Sequence, residues 1–180
     1  SRPNRSWYIY GCSCCIKRRH FIKNCITKHL EAITAKICEV GGIVEDYGDS
    51  IRVHCNKRPS KAVIKTLPYP GFPTDMQSQM GVILSIADGT SVINESIWES
   101  RFQYTEELNK MGAKITAQGK TAFFEGVKEL TGAPVYASDL RAGAALIVAG
   151  IIAKGTTDIY NLEYIDRGYE NIEQKFRDLG

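Results

Sequence analysis

Tyr69-Pro70-Gly71-Phe72-Pro73-Thr74-Asp75 decides how the rest of the chain is read. Its prolines at 70 and 73 fix their own φ and push Tyr69 and Phe72 away from helical geometry, so the main chain here has little freedom. The stretch leaves an extended apolar run at 62–67 and delivers the Asp75 carboxylate onto the first turn of a helix expected over 76–87. Thr74-x-x-Gln77 reads as the capping box of that helix. An acid in a first helical turn commonly complements the helix dipole. On this spacing alone, Asp75 reads as such a complement before it reads as a chemical group.

The same pattern recurs on both sides of this stretch. Ser138-Asp139 opens a helix expected over 140–154, apolar throughout 142–153, and Gly155-Thr156 ends it before a strand at 156–165. In parallel, Gly89-Thr90 ends the helix after Asp75 and feeds a strand at 91–97. Amphipathic helices are expected at 28–40, with Leu30, Ile33, Ile37 and Val40 on one face, at 102–111 and at 169–179; Gly41, Gly112 and Gly180 follow them. Hairpins are expected between 43–46 and 50–54, across Tyr47-Gly48-Asp49, and between 114–116 and 121–127. Further strands are expected at 21–27 and 135–137. The repeating unit is strand, helix, strand, helix, hairpin. Two hairpins and three terminal helices imply three units, yet only two of them have a buried helix. The missing helix belongs before Phe21.

Back-translating residues 1–20 with permissible codons and reading one nucleotide later gives PDRIEAGTYMAAAAVSKED, after which Phe21-Ile22-Lys23-Asn24 continues in the written frame. Laid against the segment from Ser138, the decoded Asp falls at Asp139 and the decoded Lys at Lys154. Residues 1–20 are therefore read as a frameshifted translation of the missing Ala-rich helix, with no stable place in the fold as written. Cys12, Cys14 and Cys15, with His20 nearby, are then an accident of reading frame.

Composition bounds the class. A chain of 180 residues, 43% hydrophobic and 24% charged, suits one well-buried soluble domain. Its longest apolar run falls short of the ~20 residues a membrane-spanning helix needs, and no signal peptide is visible. The chain begins with Ser and stops at Gly180 just after an amphipathic helix, which suggests a piece of a larger protein. The net charge is +3, but Arg2, Arg5, Lys17, Arg18 and Arg19 all lie in 1–20, which has no acid, so the remainder sums to −2. No basic face interleaved with aromatics is visible, and nucleic acid is not expected as a partner. Adjacent cysteines depart from the paired spacing of zinc sites, so no metal is expected. Cys25, Cys38 and Cys55 are scattered and read as small buried apolar residues of a cytosolic protein.

Four ordered motifs carry a resemblance. Tyr69-Pro70-Gly71-Phe72-Pro73-Thr74-Asp75, Trp98-Glu99-Ser100-Arg101-Phe102, Ala137-Ser138-Asp139-Leu140-Arg141-Ala142-Gly143 and Asp166-Arg167-Gly168-Tyr169-Glu170 closely resemble those of the UDP-N-acetylglucosamine enolpyruvyl transferases (1-carboxyvinyltransferases), enzymes of the first committed step of bacterial peptidoglycan synthesis. The resemblance covers 21–180, and 1–20 once reframed. It implies an α/β fold, the inside-out α/β barrel of EPSP synthase type, with strands outside and helices inside in three repeated units, one of them incomplete here. It also implies a second such domain, absent from this chain, with the active site in the cleft between the two.

The chemistry implied by the resemblance is transfer of the enolpyruvyl group of phosphoenolpyruvate to the 3′-hydroxyl of UDP-N-acetylglucosamine, in the cytoplasm, through a tetrahedral adduct that expels phosphate. No cofactor is implied. Asp75 matches the general base beside the sugar hydroxyl. A helix N-terminus favours a charged carboxylate, so Asp75 is expected to orient that hydroxyl as well as deprotonate it. Ile97 and Trp98 match positions lining the nucleotide-sugar pocket, where the family usually has other apolar or aromatic residues. Arg101, Arg141 and Arg167 match cleft arginines, with Arg167 placed on phosphoenolpyruvate and Asp139 holding the arginines in orientation. A substrate with a carboxylate and a phosphate suits arginine's bidentate, permanently charged fork better than lysine. The family's proton-donating thiol, a lysine and a further arginine belong to the other domain, so this chain alone is expected not to turn over. The competing expectations are a non-catalytic sugar-nucleotide or phosphate-binding module and, more weakly, a small zinc protein built on the cysteine cluster.

Overall fold

The computed structural model describes residues 20–23, 27–161 and 163. The chain begins with β1 (His20–Lys23) and, after a 3₁₀ turn, α1 (Glu31–Glu39), followed by β2 (Ile43–Asp46), β3 (Ser50–His54) and β4 (Val63–Lys65). A second 3₁₀ turn, Thr74–Met76, opens α2 (Gln77–Ser85), and β5 (Thr90–Asn94), α3 (Tyr104–Lys110), β6 (Lys114–Gln118) and β7 (Thr121–Glu125) follow. Last come β8 (Pro134–Tyr136), α4 (Leu140–Ile152) and β9 (Asp158–Tyr160).

The strands form sheets of order β1-β3-β2, β4-β5-β7-β6 and β8-β9. β4 and β5 pair in parallel, as do β8 and β9, while the other pairings are antiparallel. Parallel neighbours need a crossover, and α2 and α4 supply it. The order β5-β7-β6 repeats β1-β3-β2 step for step, with α3 and α1 in equivalent places between the first strand and the hairpin.

The core lies around α2 and α4. Every residue of α2 is buried, a helix with no charged residue and no polar face to show to water. On α4, Ala142, Gly143, Ala144, Ala145, Leu146, Val148 and Ala149 are buried, and their small side chains let the two helices approach closely. The Ser78 hydroxyl donates to the Arg141 carbonyl at 3.1 Å and pins the two N-terminal ends together. α4 leaves Ile151 exposed near its C-terminal end. At the far end of α2, Arg58 donates to the carbonyls of Ile86 (2.9 Å), Ala87 (2.9 Å), Gly126 (3.3 Å) and Val127 (3.0 Å), joining the helix terminus to the chain after β7. A guanidinium fork suits this cluster of carbonyls at a helix C-terminus.

The stripe Leu30, Ile33, Ile37 and Val40 is buried as its spacing predicts. The first hairpin has its predicted limits, because Asp46 Oδ1 accepts from the Gly48 N–H at 2.7 Å and closes the turn locally. β4, β5, β7 and β9 are shorter than predicted. β5 ends at Asn94 rather than 97, because the N–H groups of Ile97 and Trp98 donate to the Glu95 side chain instead of to a neighbouring strand. Cys55 is buried as expected, but Cys38 is exposed, since it follows Ile37 and so points about 100° around the helix from the buried face. No described helix is long and apolar enough to cross a membrane. The segment 1–19 with its cysteine cluster, Cys25, Arg167 and the helix expected at 169–179 lie outside the described residues.

Candidate functional site

The turn that carries Asp75 is built from its own backbone. Leu67 N–H donates to Phe72 O at 3.0 Å and Gly71 N–H to Pro68 O at 2.8 Å, while Phe72 is buried beneath. A Cβ on Gly71 would lie 2.4 Å from Leu67 Cβ and 3.1 Å from Pro68 O, so only glycine lets the turn close this tightly. The chain reaches Pro73 extended (φ −74°, ψ 137°) and enters the 3₁₀ turn with Asp75 at its centre.

The predicted capping box does not form. Neither α2 nor the 3₁₀ turn before it has a side-chain cap. The Thr74 hydroxyl instead donates to Glu95 Oε2 at 2.8 Å. A buried carboxylate is the stronger acceptor and outcompetes the local backbone contact.

Asp75 Oδ1 accepts from Arg141 Nε at 2.5 Å, and both side chains are about one-third exposed. Asp139 caps α4, its Oδ1 accepting from the N–H groups of Arg141 (2.7 Å) and Ala142 (2.9 Å). Asp139 thus fixes the backbone of Arg141, while the guanidinium of Arg141 is held by Asp75. Arg101 lies with its guanidinium carbon 5.5 Å from the Trp98 ring centroid, a cation–π contact on an exposed indole. Arg101, Asp139 and Arg141 line one small hollow with Thr74, Gln77, Ser78, Tyr104 and Ala142. The structure therefore brings Asp75, Arg101, Asp139 and Arg141 together, with Trp98 alongside Arg101. Ile97 is joined to them through its backbone contact with Glu95.

Glu95, Gln77 and Tyr104 were missed in the sequence. Glu95 is 1% exposed and accepts from Thr66 Oγ1 (2.7 Å), Thr74 Oγ1 (2.8 Å), Ile97 N–H (2.9 Å) and Trp98 N–H (3.2 Å). The signal was present in the period-2 alternation: Ser91 and Ile93 are buried, and Glu95 continues the same face. Gln77 Nε2 and Tyr104 Oη are buried without a hydrogen-bond partner among the described residues, beside the hollow.

Burial, and after it the charge of Glu95, push the Tyr104 phenol far above the usual tyrosine range. Tyr104 therefore stays neutral in the fold, whereas an unfolded tyrosine ionises near pH ~10. Below that pH the group adds no pH dependence; above it the unfolded state is favoured and stability falls as pH rises. Tyr104→Phe should remove this loss and an unpaired buried hydroxyl, raising Tm by about 2–4 °C at neutral pH, or ~1 kcal/mol. Thermal melts at neutral pH and above pH ~10 test both parts.

The sequence matches the family profile described as EPSP synthase (3-phosphoshikimate 1-carboxyvinyltransferase) over residues 13–176. It is 57% identical over 159 residues to a UDP-N-acetylglucosamine 1-carboxyvinyltransferase of Clostridium botulinum, a match covering 88% of this chain and 38% of that protein. Identity to the protein of that name numbered 3 in Caldanaerobacter subterraneus subsp. tengcongensis is 54%, covering 89% of this chain and 38% of the relative. For the protein of that name in Desulfofundulus thermocisternus it is 55%, covering 88% and 65%. The chain thus spans about 38% of the length of the first two of these curated relatives. Among solved structures it superposes on the enolpyruvyl transferase NikO from Streptomyces tendae with a TM-score of 0.87 at 21% identity, covering 97% of this chain and 42% of NikO. EPSP synthase from Acinetobacter baumannii gives a TM-score of 0.64 at 17% identity, covering 87% and 38%.

Proposed function

The chain belongs to the EPSP synthase family, and from that footing we propose that it is one domain of an enzyme that transfers the enolpyruvyl group of phosphoenolpyruvate to the 3′-hydroxyl of UDP-N-acetylglucosamine, releasing phosphate. The observation that carries the reading is the pair Asp75–Arg141. A carboxylate at the tip of a rigid turn is held through Oδ1 by Arg141, leaving Oδ2 without a hydrogen-bond partner among the described residues. Oδ2 is the atom that takes the proton of the sugar hydroxyl as its oxygen bonds to C2 of phosphoenolpyruvate. A proton donated to C3 by the thiol of the other domain completes the tetrahedral adduct. Loss of a C3 proton with expulsion of phosphate restores the double bond on the product.

In this reading Ile97 and Trp98 line the nucleotide-sugar pocket, Arg101 and Arg141 face the anionic substrates, and Arg167 grips phosphoenolpyruvate. The reaction belongs in the cytoplasm and to peptidoglycan synthesis. The architecture proposed is the inside-out barrel of three units, supported by the matching sheet orders β1-β3-β2 and β5-β7-β6 and by the parallel pairs around α2 and α4. Residues 1–20, reframed, supply its third inner helix. The second domain brings the thiol, lysine and further arginine, and without it the chain is inactive.

The test is to supply the complete enzyme with phosphoenolpyruvate and UDP-N-acetylglucosamine and to follow phosphate release and the mass of the sugar nucleotide. Phosphate release matched by an enolpyruvyl adduct is expected. Sugar-nucleotide binding with no phosphate release would instead make the domain a binding module. In the same assay Arg167→Ala should raise the KM for phosphoenolpyruvate about ten- to hundredfold, the loss of one charge-assisted contact worth roughly 1.5–3 kcal/mol. The KM for the sugar nucleotide should stay near that of the wild type.

A further inference from the structure

We propose that Glu95 is a positioning residue that locks the Asp75 turn to the Ile97-Trp98 segment, an inference that rests on the roles given above to Asp75, Ile97 and Trp98. A carboxyl group that is 1% exposed is costly to bury without partners, and no lysine or arginine pairs with Glu95 among the described residues. Hydrogen bonds from three separate segments compensate it. Oε1 accepts from Thr66 Oγ1 at the end of β4 and from the N–H groups of Ile97 and Trp98. Among the described residues Oε2 accepts from Thr74 Oγ1 alone, and Thr74 is the residue before Asp75. The Thr66 hydroxyl in turn accepts from Ser96 N–H at 2.9 Å, so the loop is held on both sides of its bend.

The two oxygens divide the work. Oε1 sets the backbone of the segment that lines the sugar pocket, and Oε2 sets the turn that carries the base. A hydrophobic residue of similar size would fill the space but satisfy none of these donors. The arrangement therefore fixes the distance between bound sugar and base, where a displacement of ~1 Å costs on the order of a hundredfold in rate.

The experiment compares Thr74→Val, Glu95→Ala and Glu95→Gln in the complete enzyme by kcat, by KM for UDP-N-acetylglucosamine, and by amide hydrogen exchange at Ile97 and Trp98. Thr74→Val cuts only the link to the Asp75 turn. It should lower kcat about ten- to hundredfold with KM changed less than about threefold. Glu95→Ala should impair both constants and expose the two amides to exchange. Glu95→Gln keeps Oε1 and turns an amide toward Thr74 Oγ1, which can accept, so it should recover most of what Glu95→Ala loses and restore amide protection. Thr74→Val with wild-type kcat, or Glu95→Gln as impaired as Glu95→Ala, overturns the proposal. If Glu95→Ala does not fold, Thr74→Val still decides, because it removes one hydroxyl and keeps the side chain's shape. A wild-type enzyme inactive on the two substrates counts against the proposed function alone. The exchange of the two amides then decides the role of Glu95, and equal exchange in wild type and Glu95→Ala rejects it.

Discussion

Asp75→Ala in the complete enzyme is expected to lower kcat by about 10²–10⁴-fold, the usual contribution of a positioned general base. UDP-N-acetylglucosamine binding should change little. In the proposed role Asp75 meets one hydroxyl among the many groups of a sugar nucleotide, so its loss should remove stabilisation specific to the transition state rather than uniform binding. Arg141 loses its partner in this variant. The pair is about one-third exposed, so water screens the guanidinium and the fold should be affected by less than ~1 kcal/mol. Calorimetric titration of the sugar nucleotide and single-turnover phosphate release separate the two effects. Near-normal turnover would leave Asp75 as an ordinary acid in a helical first turn.

Replacing residues 1–20 by the decoded Ala-rich stretch is expected to raise the Tm of this chain by about 10 °C, the equivalent of ~3 kcal/mol for a domain of this size. Burial by the ordered helix must exceed the entropy of ordering it by a modest surplus, equivalent to about 120 Å² of apolar surface at ~25 cal/mol per Å². Part of it lies on α4, which leaves Ile151 exposed and Ile147 half-buried. As written, the segment carries Lys17, Arg18 and Arg19 at the end of the run that the decoded helix would occupy, and burying those charges against α4 is unfavourable. A melt of the two versions side by side is sufficient. An unchanged Tm would refute the frameshift reading and leave the proposed barrel without its third inner helix.

Elements whose formation depends on near neighbours were legible in the sequence. The face Leu30, Ile33, Ile37 and Val40 needs only a 3.6-residue period, and the first hairpin needs only Asp46 and Gly48. The burial of α2 and most of α4 was equally visible, because neither helix has a polar stripe to offer solvent. The choices made by polar side chains were not legible. Thr74 looked like a cap because its sequence neighbours allow one, but Glu95, 21 residues away, takes its hydroxyl. Glu95 itself draws on Thr66 from a distance of 29 residues. Asp139 satisfies backbone N–H groups that every helix start leaves free, a local contact that its place just before Leu140 allows. The partner of Asp75 is 66 residues away, and only the packing of α2 against α4 brings Arg141 to it.

Whether Asp75 meets the reacting hydroxyl is decided by a structure of the complete enzyme with UDP-N-acetylglucosamine bound. An Asp75 carboxylate oxygen should lie at about 2.6–3.2 Å from the sugar 3′-oxygen, with Arg141 still on the other oxygen. A bound sugar nucleotide whose 3′-hydroxyl faces a different base, with Asp75 engaged only by Arg141, would contradict it.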